Sequence, residues 1–94
     1  MPPIEYDPVK NAENIAKHDI ALKFAPLLFA GEYIEQIDDR HDYGETRFVA
    51  TGPIAEFGGR IFVAIYTWRR DKRRIISLRK ANDREIRNYR NSHS

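Results

Sequence analysis

Cysteine is absent from the 94 residues. That absence excludes disulfide frameworks, thiolate zinc sites and thiol nucleophiles together. Small secreted domains commonly rely on such staples, so a cytoplasmic location is expected. Long apolar runs are also missing. The longest, Ile61-Phe62-Val63-Ala64-Ile65-Tyr66, falls far short of the roughly 20 residues needed to cross a bilayer. No apolar stretch follows basic residues at the N-terminus, so neither a signal peptide nor a membrane partner is expected. The chain also lacks a P-loop, a dinucleotide-binding glycine motif, a nucleophile elbow and any internal repeat. What remains fits one domain over residues 1–94, with a thin core that a partner would help to stabilise.

Aromatic residues and charge are plentiful. Five tyrosines, five phenylalanines and one tryptophan provide large core anchors. The net charge of +2 conceals a division along the chain. Residues 1–59 carry five Lys/Arg against eleven Asp/Glu, a net of −6; residues 60–94 carry eleven against three, a net of +8. Such a split points to an anionic partner for the C-terminal third. The competing reading is that the two halves neutralise each other across the fold.

Local patterns give an order of elements. Ile4-Glu5-Tyr6 reads as an edge strand or extended entry. Asp7-Pro8 opens a helix, with Asp as cap and Pro at the first helical position, and helical spacing continues through Lys17. Ala21 to Phe29 reads as a second helix, short or kinked because Pro26 lies inside it, and stopped at Gly31. Strands are expected over Tyr33 to Ile37, Arg47 to Thr51, Arg60 to Trp68 and Arg73 to Leu78, with loops at 38–44 and 52–59 and a tight turn at 69–72. Asn82 and Glu85 have capping-box spacing and open a last helix through about Tyr89. The expected fold is therefore α+β: two N-terminal helices, a four-stranded antiparallel sheet and a C-terminal helix.

Three groups of residues can carry chemistry. The first is the basic strand and the helix after it. Strict alternation puts Ile75, Ser77 and Arg79 on one face, and Arg74, Ile76 and Leu78 on the other. Arg84, Arg87, Tyr89 and Arg90 follow on the helix. Arginine forks with an interleaved tyrosine suit a phosphate backbone and an exposed base, although a solvated basic face has the same composition. The second group runs from Asp38 to Arg47. Here His41 can shuttle a proton and Glu45 can act as a base, whereas a simple polar hairpin accounts for Asp39 and Thr46. Asp38, Asp42 and His41 match no ordinary metal-ligand spacing, and no metal or cofactor is expected. The third group is Lys10, Asn14, Lys17 and His18 on one face of the first helix. Lys10 and Asn14 read as its solvated side, and His18 as its end. Tyr66 and Trp68 read as core or partner-contact aromatics.

Taken in order, three segments resemble the BrnT family of toxins. They are Glu5-Tyr6-Asp7-Pro8 with Lys10-Asn11, Asn14 and Lys17-His18; Asp38 and Arg40 with Tyr43-Gly44-Glu45-Thr46-Arg47-Phe48 and Gly52; and Arg74-Ile75-Ile76-Ser77 with Arg79-Lys80-Ala81, Glu85 and Tyr89. The chain departs from that pattern at Asp19, where glycine is usual, at Lys23 and Pro26, and in a slightly longer 53–59 loop.

The resemblance implies a RelE-like ribonuclease fold and a toxin that cleaves RNA and inhibits translation. It implies a cognate antitoxin of ribbon-helix-helix type, with operator DNA contacted only through the complex. It also implies a catalytic group of Arg79, Arg74, Lys80, Tyr89, Glu45 and His41, with Arg47, Ser77, Arg84 and Arg87 binding substrate. The chemistry would be attack of a ribose 2′-hydroxyl on the adjacent phosphate. A noncatalytic nucleic-acid-binding module, or a subunit that only receives an antitoxin, remains compatible with the same residues.

Overall fold

The computed structural model describes residues 3–92. Strand β1 is Ile4–Glu5, and helix α1 is Pro8–His18. Asp7 caps α1 as its sequence suggests: the carboxylate accepts from the Val9 amide at 2.8 Å, and Pro8 begins the first turn. Lys17 and His18 lie at the negative end of the helix dipole. Asp19 ends the helix in the left-handed conformation (φ 59°, ψ 33°), which Asp adopts more readily than most residues.

The second helical segment divides in two, a 3₁₀ turn at Leu22–Phe24 and helix α2 at Ala25–Phe29. Pro26 falls in the first turn of α2 rather than in a helix interior. The amide it lacks has no intrahelical partner there, so the proline directs the break instead of disrupting a helix.

The sheet corrects the four-stranded antiparallel expectation. It has five strands in the order β1-β5-β4-β3-β2, with β2 at Ile34–Asp38, β3 at Arg47–Ile54, β4 at Arg60–Arg69 and β5 at Lys72–Lys80. The fifth strand is β1, which lies parallel to β5 with Ile4 beside Arg73 and Glu5 beside Arg74. Two residues are too few to show a period, and a parallel pairing between distant segments leaves no local turn signal. Strand β3 also runs past Thr51, through Gly52 and Pro53. Pro53 is tolerated because its partner Ile61 turns its carbonyl to the Ala81 amide on the other side, so the pair exchanges no ladder bond. Gly52 is required by close approach, since a Cβ there would stand 2.9 Å from Tyr33 Cα.

The core lies between one face of the sheet and the α2 segment. Leu22, Ala25, Leu28 and Phe29 pack on Ala50, Ile54, Phe62, Ala64, Tyr66, Ile75 and Leu78. Phe62, Ala64 and Tyr66 define that face of β4, so Val63, Ile65 and Thr67 point to the opposite one. Helix α3, Asp83–Ser92, sits on this second side, and its Tyr89 is buried with Ile61 and Val63 outside the main cluster. The capping box forms: the Glu85 amide donates to Asn82 Oδ1 at 2.8 Å, and the Asn82 amide to Glu85 Oε1 at 2.9 Å.

One buried side chain fixes α1 to the sheet. Asn14 was expected on the solvated side of the helix, but it is only 5% exposed. Its Oδ1 accepts from the Leu78 amide at 3.1 Å, and its Nδ2 donates to the Leu78 and Ile20 carbonyls at 2.8 Å each. The carboxamide thus pairs with β5 as a strand residue would, beyond the point where β1 ends. Asn14→Ala leaves those backbone groups without partners and is expected to cost about 2–4 kcal/mol in urea unfolding. The exposed neighbour Glu13→Ala should change stability by less than about 0.5 kcal/mol; equal effects of the two would contradict the pairing.

Candidate nucleic-acid interface

The geometry of β5 departs from simple alternation at a β-bulge. Tyr66 pairs with Ile75 and Ile65 pairs with Ser77, so Ile76 has no opposite number. One inserted residue exchanges the faces of everything before it. Arg74 pairs with Thr67, Ser77 with Ile65 and Arg79 with Val63. These three β4 residues share the second face, and so do their partners. Arg74, which alternation separates from Ser77 and Arg79, therefore lies with them.

Two adjacent cavities open on this face. One of about 210 Å³ is lined by Lys10, Glu45, Arg47, Thr67, Arg69 and Arg74, among others. The other, about 200 Å³, is lined by Lys10, Lys17, His18, Ile76 and Ser77 with Glu13 and Asn14. Lys10 borders both, so the first helix forms one wall of a continuous basic groove. A larger cavity of about 600 Å³ shares His18 with the second and lies between Ile15, Ile20, Phe24, Phe57 and Phe62, with Lys23, Arg60 and Lys80 among its lining. Its size does not make it the chemical site, because its walls are largely apolar and its lysines and arginine stand apart from the basic groove.

Carboxylates hold the arginines in place. Arg74 Nη1 donates to Glu5 Oε2 at 2.5 Å, which also ties β1 to β5. Arg79 forms a fork with both oxygens of Glu85 at 2.8 Å each. The Glu85 carboxyl is held below the ordinary carboxylate range, first by the Arg79 hydrogen bonds and against the effect of burial. Glu45 is held more loosely, 3.5 Å from Arg47 Nε and 3.9 Å from Arg69 Nη2. Arg47 Nε is buried without a hydrogen-bond partner, because that 3.5 Å approach to Glu45 lacks hydrogen-bond geometry. The Arg47 guanidinium stacks 3.9 Å from the Tyr43 ring centroid. The His18 imidazole is pushed below its ordinary value, first by burial and then by the Lys17 and Arg79 charges.

The remaining candidates lie apart from this group. Lys80 is exposed, pairs with Phe62 and lines the apolar cavity, on the opposite face from Arg79. Tyr89 is 8% exposed and its hydroxyl donates to the Glu32 carbonyl at 2.5 Å, which anchors α3. His41 stands on the exposed β2–β3 loop, edge-on to Tyr43 at 5.7 Å. Arg84 and Arg87 are exposed on α3. At the end of β2, Asp38 is buried and pairs with Arg40 at 2.8 Å and 3.0 Å; the guanidinium holds the carboxyl below its usual range. Among the described residues no three acidic or imidazole groups converge as metal ligands. Lys10, Lys17 and His18 form the wall; the sequence groups them on one helix face, but there Lys10 reads as the solvated side and His18 as the helix end. Their i, i+7 and i+8 spacing was visible, but it does not say which neighbour that helix face meets.

The family model for the ribonuclease toxin BrnT of type II toxin–antitoxin systems matches residues 6–85. The chain belongs to the BrnT toxin family. A solved relative agrees in fold: the crystal structure of the Brucella abortus ribonuclease toxin BrnT is 21% identical, with a TM-score of 0.64, and the alignment covers 88% of this chain and 100% of that one. No curated protein sequence matches. The family is one of ribonuclease toxins paired with antitoxins. No helix among the described residues of this BrnT-family chain is long and apolar enough to cross a membrane.

The Arg79–Glu85 pair makes a prediction about pH. Folding depresses the Glu85 pKa, so its contribution is present above the unfolded carboxylate range and lost as the pH falls through the folded value. The side chains are 29% and 26% exposed, which keeps the effect modest. Glu85→Gln should lower stability near neutral pH. The gap to the unaltered chain should close as the pH falls below the unfolded carboxylate range in urea titrations. A gap independent of pH would show that the pair contributes nothing through charge.

Proposed function

We propose that this BrnT-family chain acts as one RelE-like toxin domain over residues 1–94, in the cytoplasm, and cleaves RNA without a metal ion. Cleavage of RNA required for protein synthesis would inhibit translation. The observation that carries the reading is the bulge that turns Arg74, Ser77 and Arg79 to one face, where Arg74 and Ser77 line the groove with Arg47, Glu45 and Lys10.

The reaction is transesterification. Glu45 takes the proton of a ribose 2′-hydroxyl, and that oxygen attacks the adjacent phosphorus as the bond to the 5′-oxygen breaks. Arg74, Arg79 and Arg47 stabilise the negative charge that grows on the phosphate oxygens. Lys10, which borders both cavities, supplies a proton to the leaving 5′-oxygen. The products are a 2′,3′-cyclic phosphate and a free 5′-hydroxyl. Ser77 and His18 contact the substrate from the β5–α1 side, and His41 from the loop. Arg84 and Arg87 steer the RNA from α3. Lys80 and Tyr89 take no chemical step: one faces the other side of the sheet, and the other is occupied in anchoring α3.

The partner is an antitoxin of ribbon-helix-helix type, and operator DNA is reached through that complex. A noncatalytic module is the second reading. It is favoured by the carboxylates that already engage Arg74 and Arg79, which a substrate phosphate must share or displace.

The test is purified chain, free of partner, with bulk RNA in excess chelator. Cleavage to cyclic phosphate ends is expected, and Arg79→Ala should slow it about 100- to 1,000-fold. RNA that binds in a salt-sensitive way but stays intact would favour the noncatalytic module. Cleavage that stops when metal is removed would overturn the mechanism.

A further inference from the structure

The β4–β5 hairpin end carries features that the cleavage chemistry does not use. Trp68, the one tryptophan of the chain, is 40% exposed. The buried part of its indole has a firm backing. Tyr66 meets it edge-on at 6.0 Å, and the Arg73 guanidinium stands 4.9 Å from its centroid. Arg73 is itself 8% exposed, lies 4.0 Å from the Phe29 ring centroid and donates to the Tyr33 hydroxyl at 3.1 Å. The indole is thus presented on an ordered support, with part of its surface left to solvent.

Its surroundings are cationic. From Arg69 to Arg74 there are five Lys/Arg and one Asp. Trp68, Arg69, Arg70 and Lys72 line a surface cavity of about 540 Å³ together with Glu5 and Asp71. Arg69 also lines the Glu45–Arg74 cavity, so it borders both. The turn itself places Arg70 at φ 60°, a conformation that favours glycine or asparagine. A long cation is kept where a small residue would fit the backbone better.

We propose that this hairpin end is a stacking site for one unpaired base of the RNA substrate, with Trp68 as the platform and Arg69, Arg70 and Lys72 meeting the flanking phosphates. Exposed π-faces beside a cationic track are the arrangement that holds single-stranded nucleic acid with little regard to sequence. A protein-binding tryptophan would be expected among other apolar groups. Here the cavity's remaining residues are all charged, and the other large exposed apolar side chains, Val9, Ile15, Ile37 and Phe57, do not line it. The ligand class rests on the RNA reading above; the site does not depend on the cleavage step.

The experiment uses the full chain and a short single-stranded 2′-O-methyl oligoribonucleotide, which cannot be cut by 2′-hydroxyl attack. A dye label reports binding by anisotropy while Trp68 emission is recorded. Saturation should quench the tryptophan, and a fully paired duplex of the same sequence should bind without quenching it. Trp68→Ala should weaken single-strand binding roughly 5- to 150-fold, and Trp68→Tyr should restore most of the loss. Should the alanine variant fail to fold, quenching in the unaltered chain still decides.

Unchanged emission at saturation, equal quenching by duplex, undiminished binding by a folded alanine variant, or no RNA binding at all would overturn the site. So would a response to an antitoxin but not to RNA. The two readings fail separately. Quenching by the oligonucleotide without cleavage of ordinary RNA retains the stacking site and removes the nuclease. Cleavage without quenching does the reverse.

Discussion

The structure depends on the pairing of the Asn14 carboxamide with the backbone of Leu78. Among the described residues, strand β5 has a strand partner along its outer edge only where β1 lies, at Arg73 and Arg74. Beyond that point its backbone groups need others, because a buried amide or carbonyl left alone is costly. Asn14 provides both a donor and an acceptor there, and its third bond, to the Ile20 carbonyl, fixes the chain as it leaves α1. The Leu22 amide then donates to Asn11 on the same helix at 2.8 Å, which starts the 3₁₀ turn over the core. Two asparagines one helical turn apart therefore join the sheet edge, the helix and the core segment. The same link sets Lys10, Lys17 and His18 along the groove.

Charge follows a similar logic. The acidic and basic parts of the chain offset each other through Glu5 with Arg74 and Glu45 with Arg69, while Glu45 with Arg47 and Glu85 with Arg79 pair within one part. Each carboxylate orients a guanidinium on or beside the groove face. Partly exposed pairs of this kind add little stability. Their larger effect is to restrict long side chains that would otherwise lose entropy on meeting a phosphate. Neutralisation across the fold falls on Arg69 and Arg74, which also line the proposed groove.

Much of this was legible in the sequence where the signal was local. The Asp7-Pro8 start, the Asn82–Glu85 capping box, the long β4 strand and the basic β5 strand each follow from neighbours within a few residues. What escaped depended on distant contacts. The β1–β5 pairing joins residues nearly 70 positions apart. The bulge at Ile76 becomes visible only when β4 is laid beside β5, and it moves Arg74 to the face of Ser77 and Arg79. Pro53 looked like a loop residue because its harmless position in β3 depends on how Ile61 is paired. Tyr89 and Lys80 had suitable chemistry, but burial against Glu32 and the orientation of the last β5 residue direct them elsewhere. Asn14 looked solvated because its spacing matches that of the lysines around it; only the open strand edge gives it a buried role.

The central claim is that RNA lies on the face shared by Arg47, Arg74, Ser77 and Arg79. It is tested most directly by nuclear magnetic resonance of the ¹⁵N-labelled chain with the non-cleavable 2′-O-methyl oligonucleotide, following backbone amides and arginine Nε groups. The account predicts shifts concentrated at Arg47, Arg74, Ser77 and Arg79, and on the Lys10–His18 wall. Shifts centred instead on Phe24, Phe57, Arg60 and Lys80 would place the ligand in the apolar cavity and contradict it.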